Sequence, residues 1–230
     1  MQLKILSWNI WVFCHFDKVK SFLASSEADV IGLQEVKGDD RERDIVSYLS
    51  DLGYDHMFTP VKKVWNGTEY NDGLAIFSKY PIIASEVYDL SETENRSVIK
   101  ADINVSGKVV HFFSTHLIHT HQKSSKIQDS QTDNLIKILP STNTIVFGDF
   151  NATPESNPIK KMGNVFVNTD TEGLPTWSID ILGCSVCNPQ NLDIKLDYIF
   201  LSKDIKAHSF KVENDAVGSD HLPVSVIVEI

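Results

Sequence analysis

Gly148-Asp149-Phe150-Asn151-Ala152-Thr153-Pro154 is the stretch on which the reading of this chain turns. It follows Thr144-Ile145-Val146-Phe147, an apolar run bounded upstream by Ser141-Thr142-Asn143, and so reads as the end of a buried strand. Gly148 lets the backbone turn sharply there. Asp149 and Asn151, two positions apart, then project to one side at the carboxyl edge of a sheet, where open α/β sheets place ligands. An isolated Asp-x-Asn after a core strand is most often a plain polar turn. In this chain, other strand-like runs end in the same polar way.

Outward from that stretch, Gln2 to Asn9 alternates Leu3, Ile5 and Trp8 with polar partners, a strand that ends at Asn9. Asp29 to Glu35 is a buried strand ending in Gln34-Glu35. Val109 to Leu117 carries His116 at its end, Leu196 to Leu201 begins beside Asp197, and Gly218-Ser219-Asp220-His221-Leu222-Pro223 leads into a strand from Val224 to Ile230. Helical spacing appears in Asp17 to Ser25, in Arg41 to Leu52 before Gly53, and in Ser125 to Leu139 before Pro140. Further strands are expected at His56 to Thr59, Leu74 to Ser78, Ile82 to Val87 and Val98 to Val105, the last joined to Val109 by a Ser106-Gly107 hairpin turn. Lys62 to Asp72, with Asn66-Gly67, reads as a surface loop in which Lys62, Lys63 and Trp65 could meet a phosphate backbone and a base. Pro154 to Gly173 shows no clear period, and Leu174 to Gln190 reads as a long irregular loop. Strand–helix–strand units at both ends and hairpins between them imply mixed sheets covered by helices. Periodicity does not give the number of layers.

The chain has 230 residues, 42% hydrophobic and 23% charged, which suits a globular fold of one large domain or two small ones. No linker, repeat or low-complexity segment divides it. A net charge of −10 argues against a broad basic surface for gripping polyanions, although a bound cation and a few local lysines or arginines could reverse the field at one cleft. Cys14, Cys184 and Cys187 leave one cysteine over in any pairing, which favours a reducing compartment and no disulfide framework. Cys184 and Cys187 have the spacing of half a zinc site, but no second pair accompanies them. No basic leader with a long apolar core opens the sequence, and no run reaches membrane-spanning length, so a cytosolic protein without stable membrane insertion is expected.

The polar strand ends gather Asn9, Gln34, Glu35, His116, Asp149, Asn151, Asp197, Asp220 and His221. Carboxylates and amides are the hard oxygen ligands of magnesium or manganese, and magnesium takes only one or two carboxylates before water and substrate phosphate complete its shell. Glu35, a lone acid ending an apolar strand, is the natural first ligand. His221, beside Asp220, could donate to a phosphate oxygen. The other nearby histidines, His111, His119 and His121, could matter by proximity to His116.

Taken in order, Leu6-Ser7-Trp8-Asn9, Leu33-Gln34-Glu35-Val36, Asp72-Gly73-Leu74-Ala75-Ile76-Phe77-Ser78, Ser114-Thr115-His116-Leu117, Gly148-Asp149-Phe150-Asn151, Leu196-Asp197-Tyr198-Ile199-Phe200 and Ser219-Asp220-His221-Leu222-Pro223 resemble the endonuclease/exonuclease/phosphatase superfamily. That superfamily holds deoxyribonuclease I, abasic-site endonucleases, tyrosyl-DNA phosphodiesterase, neutral sphingomyelinases and inositol-polyphosphate phosphatases. The resemblance implies a deoxyribonuclease I-like, four-layer α/β/β/α sandwich of two mixed sheets, with residues 1–230 forming a single catalytic domain. It also implies Mg²⁺, or Mn²⁺, as cofactor. By position, Glu35 is similar to the principal metal ligand, with Asn9 and Asp220 near the metal. Asp149 and Asn151 resemble the pair that orients or deprotonates the attacking water, and His221 the histidine that stabilises the phosphorane, with Asp197 orienting it. His116 is similar to the second histidine of the deoxyribonuclease and sphingomyelinase branches, with Asp72 as its carboxylate partner. Arg96 stands where some members carry a phosphate-contacting arginine. The abasic-site branch usually has tyrosine in place of His116.

The activity this implies is a divalent-metal-dependent phosphodiesterase acting by in-line attack of water, on a nucleic acid or a DNA end adduct. A sphingomyelinase-like phospholipid phosphodiesterase and an inositol-polyphosphate-type phosphatase are the alternatives. A non-catalytic binding protein would be expected to lose Glu35, Asp149 or His221, and all three are present. A monomer with a phosphoester substrate is expected.

Overall fold

A computed structural model describes residues 1–12, 14–38, 41–65, 68–177 and 191–230. Cys184 and Cys187 lie outside the described residues. Two six-stranded mixed sheets form the centre. The first takes β1 (Gln2–Asn9), β2 (Val30–Val36), β3 (Asp55–Thr59), β6 (Gly73–Ser78), β13 (Lys206–Val212) and β14 (Val224–Glu229), in the order β13-β14-β1-β2-β6-β3. The second takes β7 (Ile82–Asp89), β8 (Ser97–Val105), β9 (Lys108–His116), β10 (Thr144–Asp149), β11 (Val167–Asn168) and β12 (Asp197–Leu201), in the order β11-β12-β10-β9-β8-β7. Each sheet has one parallel pair at its middle, β1 with β2 and β9 with β10, between antiparallel neighbours.

Alternation along the strands explains the layering. One face of each sheet supplies Ile5, Val30, Ile76, Phe112, Ile145, Phe147 and Ile199 to the core between the sheets. The outer face of the first sheet packs Trp8, Ile31 and Leu33 on Val19 and Leu23 of α1 (Phe16–Ser25) and on Ile45 and Leu49 of α2 (Ile45–Asp51). The outer face of the second packs Phe113, Val146, Phe150 and Tyr198 on Leu135 of α3 (Lys126–Ile138) and on Ile159 and Met162 of α4 (Asn157–Val165). The expected α/β/β/α sandwich of two mixed sheets is the fold. Among the described residues, no helix is long and apolar enough to cross a membrane.

Four local expectations are corrected. The helix expected over Arg41 to Leu52 is a 3₁₀ turn, Arg41–Arg43, and then α2, because Asp44 caps a new start: its carboxylate accepts from the Ser47 N–H at 2.9 Å and the Ser47 hydroxyl at 2.6 Å. Lys62 to Asp72 is not a loop but a two-stranded ribbon, β4 (Lys62–Trp65) and β5 (Thr68–Asn71). Nine-residue α4 was hidden by Pro158 and Gly163. Edge strand β13 was hidden by a register shift between Ala207 and Ser209, which breaks its alternation.

The sheets are closely packed at Gly32, where an added Cβ would stand 1.8 Å from the Phe147 ring. Gly32→Ala should therefore lower unfolding free energy by about 2–4 kcal/mol, as overpacking of a dense core does. Urea unfolding checks this, and adding Phe147→Leu should recover part of the loss.

Candidate active site

The mouth of the sandwich is assembled by strand register. Asp149 ends β10 directly opposite His116 of β9 on one side and Asp197 of β12 on the other. Gly148, inside β10, has φ +146°, and a Cβ there would lie 2.0 Å from the Thr115 carbonyl oxygen. Only glycine lets β10 lie against β9 at that point, so its role is close approach more than the sharp turn read from the sequence.

The first sheet brings Asn9 at the end of β1 and Glu35 near the end of β2. The β2–β6 ladder shifts register between Gln34 and Val36, and Glu35 takes left-handed backbone at φ 59°. A bulge of this kind costs about 1 kcal/mol and re-aims a side chain at the ladder's end. The Asn9 amide then joins the sheets, with Nδ2 donating to Glu35 Oε1 at 3.2 Å and to Asp149 Oδ2 at 3.1 Å. The Val12 N–H holds Glu35 Oε2 at 3.0 Å. Beneath them Gln34 Nε2 bridges Ser114 Oγ at 3.1 Å and Ser7 Oγ at 3.4 Å, a second polar link between sheets.

His221 sits between two buried carboxylates, with Nδ1 2.9 Å from Asp197 Oδ2 and Nε2 3.7 Å from Asp149 Oδ2. Burial alone would push the imidazole's pKa down. Asp197, Asp149 and Asp220 together outweigh it and hold His221 well above the ordinary imidazole range. Asp149 is pushed up to about 7, first by burial and further by Asp197, against the pull of His221. His116 Nε2 lies 3.5 Å from Asp149 Oδ2.

Asn151, with φ 49°, is gathered into the same mouth. Its N–H donates to Asp149 Oδ1 at 2.7 Å, its Nδ2 to the Leu117 carbonyl at 3.0 Å, and its Oδ1 lies 2.8 Å from His119 Nδ1. Asp220 Oδ2 accepts from Trp177 Nε1 at 3.0 Å. Asp72 and Arg96 line one small cleft with His116, and Arg96 Nη1 reaches the His116 carbonyl at 3.5 Å. All ten expected site residues thus stand at or beside one mouth, Asp72 and Arg96 at its flank.

Sequence reading missed the residues that fix this arrangement. Thr176 Oγ1 accepts the N–H groups of Leu196 at 3.1 Å and Asp197 at 3.2 Å, and the Trp177 ring lies 6.2 Å from the rings of both His221 and His119. Gln128 Nε2 donates to the carbonyls of Ile118, Phe150 and Asn151 at 3.0, 3.2 and 2.9 Å, tying the loop after β9 to the loop after β10. One signal was present: Gln128 and Gln131 fall seven and four positions before Leu135, on the buried stripe of α3.

The fit to a divalent cation rests on the donor set. Among the described residues, Asp149, Asp197 and His221 bring ligand atoms within 4.8 Å of one another. His221 Nδ1 is already engaged by Asp197, so that trio is poorly suited to be the whole shell. Glu35 and Asp149 are held by one amide, and two adjacent carboxylates of hard oxygen character favour a cation between or beside them.

A four-layer sandwich with an acid–imidazole mouth at one end of its two sheets defines a phosphoric ester hydrolase of the deoxyribonuclease I-like class. The chain belongs to the Endonuclease/Exonuclease/phosphatase family, whose model matches residues 6–221, and members are generally divalent-metal dependent. Comparison with curated proteins gives no match. Among solved structures, an endonuclease/exonuclease/phosphatase from Beutenbergia cavernae is 18% identical with TM-score 0.83, covering 100% of this chain and 72% of its own. The mannosyl-6-phosphatase Bt3783 of Bacteroides thetaiotaomicron is 17% identical with TM-score 0.72, covering 99% and 100%. The human Nocturnin catalytic domain with bound sulfate is 23% identical with TM-score 0.68, covering 99% and 94%. At such identities the likeness is one of fold.

Thr176→Val removes an acceptor from two buried N–H groups. It should cost about 1–3 kcal/mol in urea unfolding, and Thr176→Ser, which keeps the oxygen, should cost less than half as much.

Proposed function

We propose that this protein hydrolyses a phosphoester by in-line attack of water at the mouth described above, with Mg²⁺ or Mn²⁺ as cofactor. The observation that carries the proposal is His221 set between Asp197 and Asp149, at 2.9 and 3.7 Å, in a buried pocket whose carboxylates raise its pKa. Glu35 is the first ligand of the cation, with Asn9 and Asp220 beside it. When bound, the cation supplies positive charge to the phosphoryl oxygens.

The rest is done by the chain's own groups. Asp149, fixed by the Asn151 N–H and the Asn9 amide, orients the attacking water and takes its proton. His221 Nε2 donates to an oxygen of the phosphoryl group as charge develops, while Asp197 holds Nδ1 so that the ring keeps its orientation. Asn151 shapes the same wall through its amide. His116, with Asp72 as partner, and Arg96 stand at the flank, where they meet the phosphate or its ester oxygen. We take residues 1–230 as one catalytic domain, acting as a monomer in the cytosol, a setting supported by the odd cysteine count.

Nucleic acid is the substrate favoured by the sequence motifs, and one observation keeps that reading: Asn95 Nδ2 donates to the Lys62 carbonyl at 3.1 Å, which seats the β4–β5 ribbon next to Arg96 at the rim. A strand of nucleic acid crossing the mouth would meet that ribbon. The described basic groups there are few, and the net charge of −10 opposes a long polyanion.

His221→Ala and Asp149→Asn should each lower kcat by at least about two orders of magnitude while leaving the unfolding midpoint within a few degrees. The assay is hydrolysis of an aryl phosphate ester, an oligonucleotide and a sugar phosphate, each with Mg²⁺ and with EDTA. Full turnover in EDTA, or in either variant, would sink the mechanism.

A further inference from the structure

A cavity of about 230 Å³ opens beside Asn151, between residues 120–125 ahead of α3 and residues 152–158 leading into α4. Asn151 is shared: its N–H is bound by Asp149 at the mouth, and the residue lines the cavity. Gln128 closes the floor, since its amide is spent on the three carbonyls that hold the two walls in place.

The lining decides what the cavity would accept. It is built mainly of hydroxyls and amides, among them Ser124, Thr153, Ser156 and Asn157, and no aromatic ring lines it among the described residues. Thr120 Oγ1 and Gln122 Nε2 add buried polar atoms that no protein partner engages among the described residues. A nucleobase seeks an aromatic face to stack on, and this cavity offers none.

Charge offers a second phosphate no net attraction. Lys123 and the N-terminal ends of α3 and α4, each end worth roughly half a positive charge, are matched by the carboxylates of Asp129 and Glu155. The field inside is close to balanced, which suits a neutral guest. The volume lies below the roughly 300–1,000 Å³ of pockets for drug-sized ligands, so one small ring is enough to fill it.

We propose that this cavity receives the alcohol part of the substrate, an uncharged polyhydroxylated group about the size of one sugar ring, whose phosphate lies at Asp149 and His221. The proposal rests on the reading of the mouth as the phosphoryl site. It points to a monophosphate ester of a sugar or similar polyol in place of the nucleic acid expected from the sequence.

The test compares glucose 6-phosphate with p-nitrophenyl phosphate, which has no hydroxyls to fill the cavity, and with a dinucleotide. The protein is the wild-type chain and Ser124→Phe, which fills the cavity from its wall. The ratio of kcat/KM for glucose 6-phosphate to that for p-nitrophenyl phosphate should fall at least about tenfold in the variant, the loss expected when one or two hydroxyl hydrogen bonds are denied. A ratio that moves less than about threefold, or a wild-type preference for the dinucleotide, overturns the proposal. Calorimetric binding of glucose 6-phosphate gives a readout independent of turnover: binding weakened by Ser124→Phe supports the subsite, and equal binding by both proteins overturns it. Binding without hydrolysis of any ester would instead overturn the reading of the mouth as catalytic.

Discussion

The two sheets of this molecule are joined at their polar end by the Asp149 carboxylate. It is the last residue of β10, yet its oxygens are shared with Asn9 from the other sheet, with the Asn151 N–H, and by proximity with His116 and His221. Apart from the Gln34–Ser114 bond, the sheets meet elsewhere mainly through aliphatic and aromatic side chains, which attract without direction. Here the contact is directional, so it fixes how the strand ends face one another to within a hydrogen bond. Asp197 and Asp220 are set beside it by bonds of their own, to Thr176 and Trp177.

A buried carboxylate is an unfavourable thing to build around, and the surroundings show how the cost is offset. Asn9 and the Asn151 N–H donate to Asp149, and the imidazole of His221 lies beside it with its pKa raised by Asp197, Asp149 and Asp220 together. Farther out, Asp170 accepts N–H groups from Glu172, Gly173 and Leu174, and its Oδ2 lies 2.6 Å from Lys195 Nζ. That pair pins the approach to Thr176 and Trp177, which in turn hold Asp197 and Asp220. The acid groups that touch the mouth are thus braced from behind by a layer of ordinary structural bonds.

Much of this was legible in the sequence, for a physical reason. Buried strands leave an apolar run, and a polar residue ending such a run has few places to go except a shared edge. Asn9, Glu35, His116 and Asp149 were readable on that ground. The braces were not, because they depend on partners distant in the chain: Thr176 was one hydroxyl within a stretch with no period, and Gln128 was a polar residue on a helical stripe that propensity assigns to solvent. The bulge that extrudes Glu35 left no mark either, since a register shift is a property of two strands together. The same holds for β13, where such a shift erased the alternation that would have announced it.

The first sheet is completed from both parts of the chain, with β1 in its middle paired to β14 near the end of the sequence. Asp220 and His221 enter the mouth only on the approach to that strand. A chain extended just past β12 already holds Asn9, Glu35, His116, Asp149 and Asp197 but lacks His221, the imidazole that lies between Asp149 and Asp197. The order of the chain therefore sets down the carboxylates of the mouth before the imidazole that comes to lie between two of them.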